Sequence, residues 1–199
     1  MNLFRLICAL LLTLPLSACA LSGGSVEGRV LEEGTDKPIA GAIVVVRWQG
    51  YVTSLVDSHG VCVHVDSVVS DSEGRYKLSR WSKPSKVGPV FDLEPAVEVY
   101  KVGYGRPRTP SQKDEIVHLV PFKGGSRARL EMLWSIGQEC ASAGESEKSW
   151  IPLRRALYEE AKGLVQSPDD AKTVRAMLYR LEILEIGYDA ATKKMYPQN

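Results

Sequence analysis

Ala42-Ile-Val-Val-Val-Arg-Trp48 is a run of β-branched side chains closed by a tryptophan, the composition of a buried strand. Val61-Cys-Val-His-Val-Asp66 follows and alternates strictly. A period of two puts Val61, Val63 and Val65 on one face and Cys62, His64 and Asp66 on the other. Shorter strand candidates flank this pair: Val26–Leu31, Arg75–Leu78, Val97–Val102 and Glu115–Val120. Clusters of breakers separate them. Glu32-Glu-Gly-Thr-Asp-Lys-Pro38 is one such cluster, Asp71-Ser-Glu-Gly74 is an expected hairpin turn, and Gly103-Tyr-Gly105 ends a strand. Short strands with turn signals between them predict a β-sandwich.

Beyond about Ser126 the apolar period changes from two to that of a helix. Leu130, Leu133, Trp134 and Gly137 share one helical face. A second helix is expected from about Ser149, with Leu153, Leu157, Ala161 and Leu164 as its stripe and Pro152 in its first turn, where amide donors are spare. The third start is the clearest: Ser167 can cap, Pro168 suits the first helical position, and Asp169 and Asp170 favour the positive end of the dipole. Its stripe runs through Val174, Met177, Leu178, Leu181, Leu184 and Tyr188. The two later helices predict an antiparallel hairpin whose apolar faces are covered by the β-domain.

The chain begins differently. Arg5 precedes an apolar run from Leu6 to Leu14, too short to span a bilayer, as in a secretory signal peptide. Leu16-Ser17-Ala18-Cys19 follows and resembles the lipobox of bacterial lipoproteins. That resemblance implies that residues 1–18 are removed and that Cys19 becomes an acylated first residue. Residues 19–25, Cys19-Ala-Leu-Ser-Gly-Gly-Ser25, are then anchor and short flexible tether. Alanine rather than aspartate after the cysteine resembles the outer-membrane sorting signal of such proteins.

Residues 26–122 resemble the carboxypeptidase regulatory-like domain. Val26-Glu-Gly-Arg-Val, Lys37-Pro-Ile-Ala-Gly-Ala-Ile-Val-Val-Val, Ser70-Asp-Ser-Glu-Gly-Arg-Tyr and Val99-Tyr-Lys-Val-Gly-Tyr104 carry the likeness, in that order. It implies a seven-stranded, transthyretin-like sandwich used as a binding or stabilising module, without activity of its own. Gln49 to Ser67 read as extra residues relative to that pattern, and the helical region 126–194 lies outside it. The expected class is thus mainly β with an α appendage.

Lys and Arg number 25 and Asp and Glu 24 in the whole chain; removing residues 1–18 takes away Arg5 and leaves the two balanced. A nucleic-acid partner is disfavoured by that balance. Of the four cysteines, Cys8 leaves with the signal peptide and Cys19 is spent on lipid. Export makes a Cys62–Cys140 disulfide the expected fate of the remaining pair. His59-x-x-Cys62-x-His64 is the competing reading, a zinc or copper site of imidazole and thiolate. An oxidised Cys62 cannot serve it. His64 lies too near in sequence, with no oxyanion loop, for Cys62 to read as a nucleophile. Glu159-Glu160 and Asp169-Asp170 read as solvated helix faces or caps, and Trp48, Tyr51, Trp81, Tyr100 and Tyr104 as core rather than a sugar platform. No Gly-x-Ser-x-Gly, His-Glu-x-x-His or Walker loop occurs. The sequence therefore predicts no enzyme and no cofactor. It predicts a palmitoylated envelope lipoprotein on the periplasmic side of the outer membrane, binding or scaffolding an envelope protein or glycan. The alternatives are a metal or redox protein, and a subunit of an envelope secretion machine such as the type VI system.

Overall fold

A computed structural model describes residues 20–53, 57–107, 116–137 and 144–196. The signal peptide, Cys19 and Cys140 lie outside the described residues. Eight strands are present among them: β1 Ala20–Gly23, β2 Val26–Glu32, β3 Ile43–Thr53, β4 Ser58–Val69, β5 Arg75–Leu78, β6 Trp81–Pro84, β7 Phe91–Tyr100 and β8 Ile116–Leu119. The helices are α1 Ser126–Ser135, α2 Ile151–Lys162, α3 Pro168–Ile186 and α4 Tyr188–Met195, with a 3-10 segment Gly144–Trp150 before α2. The chain is mainly β with a helical region after it.

The strands form three sheets, ordered β4-β3-β7, β5-β2-β8 and β1-β6. The two larger ones enclose a core of Val30, Val44, Val46, Trp48, Val63, Tyr76, Val99 and Leu119. The other face of β4-β3-β7 is covered by the helices. There Val45, Cys62, Val65 and Tyr100 meet Leu130, Leu133, Ile136, Trp150, Leu153, Leu157, Val174 and Met177. Burial on both faces explains why the first half of β3 shows no polar alternation.

Gln49 to Ser67 do not form a separate insertion. They lengthen β3 and β4 into a long antiparallel pair, with Thr53 opposite Ser58. Asp71–Gly74 is not a hairpin turn either, because β4 and β5 belong to different sheets. The turn carries the chain across the sandwich. Asp71 Oδ1 accepts from the amides of Glu73 and Arg75, both at 2.8 Å, and Gly74 supplies a φ of 72°. Ser70 staples the same junction: its buried hydroxyl accepts from Ala42 N and donates to Ile39 O, both at 2.8 Å.

The tether expectation for residues 19–25 also changes. Ala20–Gly23 pairs antiparallel with Trp81–Pro84, Ala20 opposite Pro84 and Gly23 opposite Trp81. Leu21 packs on the sandwich core, which gives this short segment the burial that its composition hides. A side chain at Gly23 would overlap the indoles of Trp48 and Trp81, so the ribbon lies flat only with glycine there.

Helix α3 starts as its sequence dictates, with Ser167 Oγ accepting from Asp170 N at 3.2 Å and Asp169 and Asp170 in the first turn. It stops at Gly187, whose φ is 87°. The stripe expected to reach Tyr188 ends there, and Tyr188 opens α4 with its ring exposed.

Candidate functional site

The cluster His59, Cys62, His64 is divided by a β-bulge. Trp48 pairs with His64 but Gln49 pairs with Cys62, so Val63 is an extra residue on β4. A bulge of this kind resets which way the side chains face. Cys62 and Val65 join the helix-side core, whereas Val63 joins the core of the sandwich. His64 packs beside Trp48 and Trp81, away from Cys62. The strict alternation read from the sequence is corrected accordingly: Cys62, His64 and Asp66 do not share one face. His59 sits further out, exposed, opposite Val52. Among the described residues no three His, Cys, Asp or Glu side chains converge on a point where a metal could sit. Cys62 is buried.

His64 stands in an aromatic cluster instead. Its ring lies 4.3 Å from that of Trp81 and 5.2 Å from that of Trp48, and the two indoles meet edge to face at 5.6 Å. Its Nδ1 is buried with no hydrogen-bond partner among the described residues. Burial, then the nearby Lys83 ammonium, lowers the His64 pKa; Asp66 opposes them. Lys83 itself lies over the Trp81 ring at 5.8 Å. A neutral imidazole wedged between two indoles is suited to packing, not to proton transfer. The remaining aromatics form no platform. Trp48 is in the sandwich core, Tyr100 is on the opposite face of the sheet, Tyr51 is exposed, and Tyr104 donates to Glu32 Oε2 at 2.7 Å.

The polar feature of greatest consequence joins the sandwich to the helices. Arg129 of α1 is 4% exposed and makes a two-pronged ion pair with Glu160 of α2, Nε to Oε1 at 2.7 Å and NH2 to Oε2 at 2.8 Å. Its third nitrogen donates to the carbonyl of Tyr104. Tyr100 of β7 donates to Glu160 Oε2 at 2.5 Å. Burial, then the bond to Glu160, raises the pKa of the Tyr100 hydroxyl. Glu160 is therefore no solvated helix face. The signal was present: Arg129, Leu133 and Ile136 fall at i, i+4 and i+7, and so do Leu153, Leu157 and Glu160. A charge on each apolar stripe, of opposite sign, marks a buried pair.

An open groove of about 520 Å³ lies across β2 and β5, lined by Glu27, Arg29, Asp71, Arg75, Lys77 and Ile116 among others. Its charges pair off locally, Lys77 with Glu27 at 2.7 Å and Arg75 with Glu73 at 2.9 Å. No nucleophile with an adjacent base is found along it.

No protein-family model matches the sequence, and no curated protein matches it. Among solved structures, a streptococcal ancillary pilin aligns over 51% of this chain at 16% identity and a TM-score of 0.28; the chain spans 30% of the pilin's length. An alternative pilotin from the type II secretion system of Vibrio cholerae aligns over 52% of this chain and all of its own, at 12% identity and a TM-score of 0.29. A 9R-lipoxygenase from Cyanothece aligns over 88% of this chain and 27% of its own, at 12% identity and a TM-score of 0.26. Likeness at these scores establishes neither a shared fold nor a shared function.

Proposed function

We propose that this chain is a lipid-anchored envelope protein facing the periplasm, acting as a non-catalytic binding or scaffolding module. The observation that carries the reading is a strand directly after a lipobox-like sequence. Leu16-Ser-Ala-Cys19 has the form of a lipobox, and β1 begins at Ala20, the very next residue. An acylated Cys19 would hold the sandwich directly against a bilayer with no slack. No helix among the described residues is long and apolar enough to cross a membrane. Two or more acyl chains, each methylene contributing about 0.8 kcal/mol, suffice for stable anchoring.

The finer architecture proposed is transthyretin-like: the two larger sheets supply six strands, one fewer than the seven expected, β1 and β6 add a two-stranded ribbon, and an antiparallel pair of helices follows. The turn between α2 and α3, residues 163–167, is short enough for such a pair. A disulfide between Cys62 and Cys140 is the proposed covalent link between the sheet and the helical region.

The test is Cys19→Ser. The wild-type chain is expected to carry labelled palmitate and to fractionate with outer membranes, and the variant to be unlabelled and either uncleaved or soluble. Palmitate still present on the variant after detergent extraction would overturn the reading.

A further inference from the structure

We propose that the turn between β6 and β7, together with the adjacent end of β3, is a membrane-contact surface resting on anionic phospholipid headgroups. This deepens the lipid-anchor reading of Cys19 and depends on it. Ala20, the residue that follows Cys19 in the sequence, pairs with Pro84, the last residue of β6 before the turn. Six residues then lead from Pro84 to Phe91, which pairs with Tyr51 near the end of β3. The start of β1, the turn and the end of β3 are therefore at one end of the sandwich.

That end is unusually apolar for an exposed surface. Val87 is 46% exposed, Phe91 55% and Tyr51 52%. Within Trp81–Phe91 the charged residues are Lys83 and Lys86, both cationic. Lysine beside exposed Phe, Val and Tyr is the side-chain chemistry of a bilayer interface. The two ammonium groups are close enough that Lys86, after burial, lowers the pKa of Lys83. An anionic surface relieves that repulsion. Asp57 and Asp92 flank the patch, so attraction is carried by the turn itself and not by the net charge of the end. The turn is held in shape from within: Ser85 Oγ donates to the Gly88 carbonyl and accepts from Val87 N at 3.4 Å. Val87 is thereby presented outward without a partner to lose.

The experiment uses the full acylated protein in vesicles of phosphatidylethanolamine and phosphatidylglycerol. An environment-sensitive fluorophore is attached in turn to Val87→Cys, Phe91→Cys and Val102→Cys, without reductant. Val102 is 59% exposed and follows the end of β7 that pairs with the start of β3, so it reports the far end. Lipids bearing a headgroup nitroxide should quench positions 87 and 91 at least twofold and leave 102 unquenched. Lys83→Gln with Lys86→Gln should reduce that quenching several-fold while flotation with the vesicles persists, since each lysine near an anionic surface shifts partitioning roughly fivefold. Val87→Asp should do the same at position 91, and an unchanged melting temperature shows that its fold is intact. Protein that floats but stays unquenched at 87 and 91 overturns this surface, leaves the anchor standing, and frees the patch for a protein partner. Equal quenching on purely neutral vesicles overturns the anionic component. Protein that does not float overturns both readings.

Discussion

The two faces of the sheet β4-β3-β7 are closed by different chemistry. Toward β5-β2-β8 the contacts are those of an apolar sandwich, with Val44, Val46, Trp48 and Val99 meeting Val30 and Leu119. Toward the helices the apolar contacts of Val45, Val65 and Tyr100 are joined by ion pairs: Arg129 with Glu160, and Glu98 with Arg47 and Arg106 at 3.8 and 3.2 Å. Apolar packing alone is tolerant of small rotations. A two-pronged guanidinium–carboxylate contact is not, because both nitrogens must meet both oxygens. The sandwich face is ordered by strand register; the helix face, which has no register, is oriented by charge.

The largest effect should come from removing the second face altogether. Ending the chain after Gly125 uncovers Val45, Val65 and Tyr100 on a sheet whose first face is already filled. A contiguous apolar patch of that kind drives association. The truncated chain is expected to aggregate or to be degraded, as read by light scattering and limited proteolysis. A monomer with the wild-type melting temperature would show that the two faces are independent.

Next in size is the buried ion pair. Glu160→Ala or Arg129→Ala leaves an uncompensated charge at the interface and should cost about 3–5 kcal/mol. The double variant Arg129→Met with Glu160→Leu restores an apolar contact and should recover most of that loss. Tyr100→Phe, which loses one hydroxyl bond to Glu160, should cost only about 1 kcal/mol beyond any repacking. Chemical denaturation of the set decides whether the pair acts through orientation. A double variant as unstable as the singles would mean that the charges contribute attraction, and not merely mutual satisfaction.

The disulfide proposed between Cys62 and Cys140 would add a covalent constraint to the same face. A closed loop of that size contributes about 2–4 kcal/mol in typical cases. Cys62→Ser and Cys140→Ser should lower the melting temperature alike, and non-reducing mass analysis of periplasmically made protein should find no alkylatable thiol. Two free thiols would remove the clamp.

How much of this was legible in the sequence follows from the same contrast. Alternation and β-branching mark at least part of each strand expected between Val26 and Leu119, but β6 and residues 91–96 of β7 lie outside those expectations and Val102 falls past the end of β7. The cap Ser167-Pro-Asp-Asp170 gives the start of α3 to the residue. What was hidden depends on partners distant in sequence. Nothing local in Ala20-Leu-Ser-Gly23 announces a strand, since its partner lies some sixty residues on and its glycine is there to clear two indoles. The bulge at Val63 leaves no mark, because Val-Cys-Val-His-Val alternates in letters even where the backbone does not. That one added residue separates Cys62 from His64 and dissolves the apparent metal ligand set.

The smallest predicted effect tests the sandwich face through His64. Its ring contacts Trp48 of β3 and Trp81 of β6, with Lys83 of β6 and Asp66 of β4 as the charged groups that influence it. Burial and Lys83 favour the neutral imidazole, so its pKa in the folded protein lies below the ordinary value of 6.5. The unfolded chain therefore takes up this proton first as pH falls. Stability from this group is complete above 6.5 and declines as pH drops through 6.5 toward the lower folded value. Carboxylates with lowered pKa, such as Asp71, lose their contribution only in a more acidic range. Between pH 7.5 and 5.5 the wild type should lose roughly 1–3 °C of melting temperature relative to His64→Phe, which keeps the ring and removes the proton. The helix-side variants should leave that difference unchanged, because His64 faces the other core. Parallel pH profiles for wild type and His64→Phe would show that the imidazole is open to water, and would break the claim that this face is closed by apolar packing.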